Sequence, residues 1–509
     1  MLDLPCSAGR TAARAFVKFL ILIVSLTVIN STANASDGKI EAVAVPPKSQ
    51  NNRVSSFTLQ DGLRVVVVED HRSPLVINSV WYRVGAADEV AGETGISHTL
   101  EHMMFRGSAR VAPGQFRTAI ADVGGSENAV TTQGYTMYYE AVDKRWLQLA
   151  MNLESDRMFN LSLSGSEFSL ERQVVLEEVR TADDDAEYRV YRALLQASLS
   201  DSGNRRLPGG DIADVESLSA SALRNWYRQW YCPHNAVLVV GGDVDAMTVR
   251  AQAQRAFGSV PASASKCQEE QSHPSVIVQP ETSRAVGALD TSNQPPSPGR
   301  PGYVTQYTAD GQQYLLMGYR LPAMDPATSA TMLPSLMVLR EVLAGYDGAR
   351  LSDTLVRQQG ITDSVDVSYD GMTRGPQLFL ISAAPSSGHT VAELEQSIRA
   401  QVALIRSQGI SPSELQVAIR QLSAGRIYNR DLLLGIVKEY GAAEMAGLPL
   451  PDDVSLLRQL RAVTPQDVRA AAIGYLQDGN LTIAEGMPPA GASRQHWGPK
   501  QSSVSTEMR

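Results

Sequence analysis

Gly95-Ile-Ser-His-Thr-Leu-Glu-His-Met-Met-Phe-Arg-Gly-Ser108 is the stretch around which the chain is organised. It holds His98-Thr-Leu-Glu101-His102, an H-x-x-E-H arrangement. On a helix, residues four apart project from one face, so His98 and His102 point the same way. Two imidazoles at that spacing can grip one divalent metal. Glu101 borders the same face, placed to act on a water without ligating the metal. Apolar Ile96, Leu100, Met103, Met104 and Phe105 suit a helix around this polar trio. Taken alone, three polar residues on a helix are equally a solvated face. A third ligand and the right surroundings decide between the two.

Composition sets the outer bounds. A chain of 509 residues is too long for one hydrophobic core and implies several domains. It is 43% hydrophobic and 19% charged, ordinary for a globular protein. A formal net charge of −9 and a pI near 5.4 argue against nonspecific nucleic-acid binding and favour cationic partners. Residues 1–35 read as a cleaved secretory signal. Arg10, Arg14 and Lys18 precede an apolar run from Phe19 to Ile29, and Ala33-Asn34-Ala35 is an A-x-A site. That run is too short to span a bilayer comfortably, so no stable membrane anchor is expected. The expected location is periplasmic or secreted. Removing this piece, with its three basic residues and Asp3, leaves a mature chain near −11. Cys6 leaves with the signal. Cys232 and Cys267 could form a disulfide in an oxidising compartment or remain two thiols. Neither has zinc-site neighbours.

Outward from the metal helix, the pattern is α+β. Phe57 to Glu69 carries an Asp61-Gly62 hairpin turn and a valine run that reads as a buried strand. Leu75–Val84 is a second strand. Gly124 to Thr132 is a turn feeding a strand, and Thr136–Val142 is its neighbour. Leu147–Phe159, Ser166–Thr181, Ser219–Tyr231 and Val244–Phe257 are helical by periodicity, and Ala236–Gly242 is a buried strand. Residues 53–260 form the first domain, and the Ser/Pro/Gln-rich stretch 261–302 is a linker. A second domain spans 303–487, and 488–509 is a polar tail. The second domain repeats the first weakly. Tyr314–Pro322 resembles the strand at Leu75–Val84. Pro334–Ala344 takes the place of the metal helix but lacks His-x-x-Glu-His. Pro465 to Gly486 echoes Ala220 to Gly241, with helix, Tyr, turn, Asn and apolar strand in order.

Three stretches together carry a resemblance: His98 to Gly107, the Gly125-Ser-Glu-Asn-Ala-Val-Thr131 run and Glu171-Arg-Gln-Val-Val-Leu-Glu-Glu178. H-x-x-E-H is the inverted form of the H-E-x-x-H zinc-protease motif. The chain resembles the pitrilysin/insulysin family of inverted-zincin metallopeptidases. It is similar in particular to the shorter branch that includes mitochondrial processing peptidase and paired bacterial periplasmic proteases. The resemblance implies two homologous halves, each a mixed or antiparallel sheet flanked by helices. It implies one Zn²⁺ per chain, held by His98, His102 and Glu178, with Glu101 as the catalytic base. Glu171 then orients a ligating histidine from behind. The strand holding Asn128, Ala129 and Val130 would pair with an extended peptide substrate, with Asn128 as a side-chain contact.

One departure shapes the function expected. Family members that cleave alone carry Leu-Arg-x-x-x-Gly-x-x-Tyr in the second half. Here Leu355-Val-Arg-Gln-Gln-Gly360-Ile-Thr-Asp363 puts Val356 and Asp363 in the Arg and Tyr places, with Arg357 one residue late. The resemblance therefore implies the zinc-bearing subunit of an endopeptidase that needs an Arg/Tyr-bearing homologous partner. The alternatives are a non-catalytic scaffold subunit, or a self-sufficient peptidase in which Arg357 or Tyr369 substitutes. The acidic run Asp183–Asp185 with Glu187 further suggests a preference for basic residues near the cut.

Overall fold

The computed structural model of the chain describes residues 53–258, Cys267, 300–308 and 311–488. The signal-peptide reading and most of the linker and tail readings lie outside the described residues. The first sheet contains β1 (Arg53–Thr58), β2 (Arg64–Glu69), β3 (Leu75–Tyr82), β4 (Ser126–Thr131), β5 (Thr136–Asp143) and β6 (Ala236–Gly242), in the order β1-β2-β6-β3-β5-β4. The valine run explains why β2 lies inside: Val65 to Val68 are all fully buried. Val65 and Val67 face one core and Val66 and Val68 the other, so both faces of the sheet are covered. The β1–β2 hairpin turns at Asp61-Gly62, where Gly62 has φ +90° and a Cβ would sit 2.5 Å from the His234 ring.

The second sheet contains β7 (Gly302–Tyr307), β8 (Tyr314–Leu321), β9 (Thr362–Ser368), β10 (Gln377–Pro385) and β11 (Leu481–Met487), in the order β7-β11-β8-β10-β9. Apart from β1, the two sheets match strand for strand and in sense. β2–β6 and β7–β11 are parallel, and every later neighbour is antiparallel. The internal repeat read from the sequence is therefore a repeat of topology.

The helices used below are α1 (Ile96–Met103), α2 (Leu147–Asn160), α3 (Gly165–Asp184), α4 (Ala186–Ser198), α5 (Ala220–Trp230), α6 (Pro326–Ala344), α7 (Val391–Gln408), α8 (Pro412–Asn429), α9 (Leu433–Ala446) and α10 (Pro465–Tyr475). In the second half α6 follows β8 as α1 follows β3, and α10–β11 repeats α5–β6. One face of the second sheet packs against α7.

The two halves exchange a helix. α4, from the first half, lies on β7, β8 and β11 of the second sheet, where Val190 and Leu194 meet Val304, Leu316 and Ala484. α9, from the second half, lies on β3 and β6, where Ile436, Val437 and Tyr440 meet Val66, Val68, Ile77 and Trp81. Gly441 lets α9 approach, since a Cβ there would come within 2.1 Å of the Trp81 ring. Each sheet thus completes its core with a helix from the other half. Arg64 and Arg83 of the first half bind Glu444 on α9, at 2.7 Å to its carboxylate and 2.7 Å to its carbonyl.

Candidate metal centre and active site

α1 is short, and its start is held from outside. Gly95 takes φ +83° at the N-cap. Glu89, 2% exposed, accepts the Gly95 N–H at 2.8 Å and the Ser97 N–H at 3.0 Å. Both of its oxygens therefore satisfy the first turn's free donors. Burial pushes the Glu89 carboxyl up to about 8, against those two bonds. Ile96, Leu100 and Met103 anchor the other side of α1 in the core, and α3, α5 and β4 pack around it. α3 is capped by Ser164, which accepts the Glu167 N–H at 3.2 Å. It places Glu171 and Glu178 two turns apart, facing α1.

These elements bring His98, His102 and Glu178 together, with one ligand atom from each within 4.8 Å of the others. Nε2 of His98 lies 3.6 Å and Nε2 of His102 3.4 Å from Glu178 Oε2. The two imidazoles are perpendicular with centroids 4.8 Å apart. Glu178 Oε2 is buried, and among the described residues no hydrogen-bond donor comes closer to it than His102 Nε2 at 3.4 Å. A buried carboxylate oxygen converging with two imidazole nitrogens is the donor set of a catalytic zinc site, so the residues fit that metal. Burial, with His102 beside it, holds His98 down to about 4, leaving its ring neutral. For His102 burial works against charge, but Glu171 and Glu178 outweigh it and raise the ring to about 10.

Glu171 contacts the His102 ring. Its Oε2 lies 3.1 Å from His102 Nδ1, so Nε2 is the atom turned toward Glu178. Its other oxygen is bound by Arg106 at 2.5 Å. Burial opposes its charge, yet His102 and Arg106 hold its pKa below the ordinary value. Glu101 faces β4, where Thr131 Oγ1 donates to its Oε2 at 2.5 Å. Burial pushes the Glu101 carboxyl up, and the nearby Glu178 adds to this, while His102 and Thr131 oppose it.

β4 is the edge of its sheet. The Thr132 N–H bonds the Tyr135 carbonyl at 2.8 Å, which sets the alternation along the β4–β5 ladder. Asn128 and Val130 then spend their backbone groups on β5, and Glu127, Ala129 and Thr131 turn theirs to the open edge. Of the three residues predicted to meet a peptide, Ala129 is the one offering backbone there. Val130 packs on the opposite face, beside Trp81 and Tyr139. The exposed Asn128 accepts the Ala129 N–H on its own Oδ1 at 2.8 Å.

In the second half, Val356 is half-buried in a π-helical turn over Ser352–Gln358, and Asp363 is exposed on β9, accepting from Ser386. Arg357 reaches Asp353 at 4.0 Å, and Tyr369 is buried in the second core. The contacts of Arg357, Asp363 and Tyr369 named here all lie within the second half. The acidic run is used locally: Asp185 caps α4 and Asp183 pairs with Arg192 at 2.6 Å. Cys232 and Cys267 are disulfide-bonded, with Cα atoms 5.7 Å apart.

Glu89, Arg106 and Thr131 are the site residues that motif reading missed. Thr131 had a signal: it shares the inward face of β4 with Ala129 at the two-residue period. Glu89 had none, because a capping acid on a preceding loop leaves no spacing rule.

Residues 64–206 match the model described as insulinase, peptidase family M16, and residues 217–422 match that of the peptidase M16 inactive domain. An uncharacterized zinc protease of Streptomyces coelicolor is 26% identical over 457 residues, 87% of this chain and 92% of that protein. The mitochondrial-processing peptidase subunit beta of Lentinula edodes is 22% identical over 447 residues, 84% of this chain and 88% of that protein. The crystal structure of a protease from Helicobacter pylori shares the fold with a TM-score of 0.74 at 22% identity, covering 86% of this chain and all of that one.

Proposed function

The chain belongs to the insulinase family of peptidases, peptidase family M16, and from that premise we propose that it is the zinc-bearing subunit of a metalloendopeptidase cutting extended or unfolded peptides. The observation that carries this reading is the convergence of His98, His102 and Glu178 with Glu101 beside them and Glu171 behind. A scaffold has no use for that set, and buried charges are costly to keep without one.

Held by those three residues, zinc would supply Lewis acidity for the attacking water and the scissile carbonyl. Glu101 takes the proton of that water and passes it to the leaving amine. Glu171 fixes the His102 ring so that Nε2 faces inward. Backbone groups of Glu127, Ala129 and Thr131 receive the peptide as an added strand, which fixes its register without demanding a sequence. The location proposed is periplasmic or secreted. The Cys232–Cys267 disulfide supports an oxidising compartment.

Partnership is part of the proposal. Val356 has no side-chain donor, and an ionised Asp363 would repel a developing oxyanion. Losing one such donor typically costs about 10²–10³ in rate. A relative named as a subunit fits a paired enzyme. The purified chain should therefore cleave poorly alone, and mixing it with an Arg/Tyr-bearing homologue should raise turnover about 10²-fold or more. Full turnover by a verified monomer, indifferent to any homologue, refutes the partnership. The chemistry is tested separately by Glu101→Gln. That variant should lose about 10²–10⁴-fold in turnover while keeping one zinc per chain, whereas His102→Ala and Glu178→Gln should lose metal as well. A Glu101→Gln variant with full zinc and full activity removes Glu101 from its role.

A further inference from the structure

We infer that Thr131 is a positioning residue for the general base: its hydroxyl locks the Glu101 carboxylate to the strand that receives the peptide. This rests on the reading of Glu101 given above and adds a residue to it.

Thr131 closes β4 opposite Thr136 and is 5% exposed. The two threonines use their hydroxyls differently. Thr136 Oγ1 donates to the Val84 carbonyl at 3.0 Å, an ordinary use of a buried hydroxyl. Thr131 Oγ1 instead crosses from the sheet to α1 and donates to Glu101 Oε2 at 2.5 Å. Hydrogen bonds to an ionised acceptor are shorter and about twice as strong as neutral ones. Valine would fill nearly the same volume but offer Glu101 no donor.

Both the hydroxyl and the backbone of Thr131 bear on the Glu101 carboxyl. One residue therefore refers the base's orientation to the strand whose edge is proposed to take the peptide. Glutamate has three side-chain torsions, and without the hydroxyl the carboxyl keeps only packing and the Thr131 backbone to restrain it. Proton transfer needs the base within about 2.6–3.2 Å of the proton's heavy atom, and a misplacement of about 1 Å costs on the order of 10²-fold. A loosened Glu101 should thus depress turnover and leave binding alone.

The test uses the full zinc-loaded chain with Thr131→Val, which keeps the shape, and Thr131→Ser, which keeps the hydroxyl. Thr131→Val should lower kcat about ten- to a hundred-fold on a quenched fluorescent peptide with KM within about two-fold. Thr131→Ser should stay within about three-fold of the parent in kcat, as the hydrogen bond survives. Both should carry one zinc per chain and melt as the parent does. Two further readouts do not depend on rate. Crystals of zinc-loaded Thr131→Val should have the Glu101 carboxylate rotated or in two orientations, with His98, His102 and Glu178 unmoved. Glu101→Gln and Glu101→Gln/Thr131→Val should bind intact peptide equally. An unmoved carboxylate, an unchanged kcat, a loss of zinc, or a loss confined to KM or peptide binding would each overturn the inference. Failure of the underlying reading is distinct, since Glu101→Gln would then stay active whatever Thr131 did.

Discussion

Gly441→Ala and Gly425→Ala make the same chemical change in two helices and should move stability in opposite directions. Both residues lie within helices, α9 and α8 respectively. Replacing a helix-interior glycine by alanine normally stabilises by about 0.5–1 kcal/mol, because glycine gives up more backbone freedom on folding. At Gly425 a Cβ meets nothing within 4 Å, so that gain should appear in full. At Gly441 the Cβ would sit 2.1 Å and 2.2 Å from two Trp81 ring carbons. Trp81 has no room to yield: it is fully buried, its Nε1 donates to Ser79 Oγ at 3.0 Å, and Tyr135 packs at 4.8 Å between ring centroids. Overpacking of this kind costs about 1–3 kcal/mol. Set against the propensity gain, Gly441→Ala should be destabilising by about 0.5–2 kcal/mol net. Urea unfolding followed by circular dichroism, with the midpoint compared at equal slope, measures both variants. A Gly441→Ala protein as stabilised as Gly425→Ala would mean that α9 does not press on β3 as described.

Two further perturbations bear on the site. Glu171→Gln should weaken zinc binding about ten- to a hundred-fold in a chelator competition, since the partner that orients His102 loses its charge; an unchanged zinc affinity would leave Glu171 serving Arg106 alone. Glu89→Gln probes pH. The folded carboxyl titrates at about 8, above the ordinary 4.5, so its contribution is fully present below pH 4.5 and is lost as pH rises toward 8. The neutral amide keeps one of two bonds to α1 and has no charge to bury. Its melting temperature should therefore fall below the parent's by more at pH 5 than at pH 8, and a difference constant with pH would contradict the burial argument.

What was legible in the sequence follows from which forces act locally. The valine run of β2 and the Asp61-Gly62 turn announce themselves, because burial on both faces and a positive φ each demand particular residues. The H-x-x-E-H spacing fixes its own geometry on any helix, and Glu171 and Glu178 share a face for the same reason. The helix exchange was not legible. α4 and α9 have apolar faces like those of other helices in the chain, and nothing in either says which sheet it will cover. The clues, Gly441 against Trp81 and Gly318 against Leu194, are close approaches between distant residues. Asn128 illustrates another limit. Its place in the strand was readable, but the parity that turns its backbone toward β5 depends on the Thr132–Tyr135 turn bond.

The exchange also bears on the proposed need for a second chain. The first sheet has two faces, and the odd and even valines of β2 look into different cores. Val65 and Val67 look with Val80 and Tyr82 toward Ile96 and Leu100 of α1, the face of the candidate metal site. Val66 and Val68 look with Ile77 and Trp81 toward Ile436 and Val437 of α9. The second half's own helix is therefore docked on the face turned away from the metal helix. The second half does reach the rim of the first at the Thr132–Tyr135 turn, but there its Arg374 is already paired with Asp88. Under the proposed partnership, an oxyanion donor from this chain's second half would have to come from an element other than α9, whose face of the first sheet is the one opposite α1.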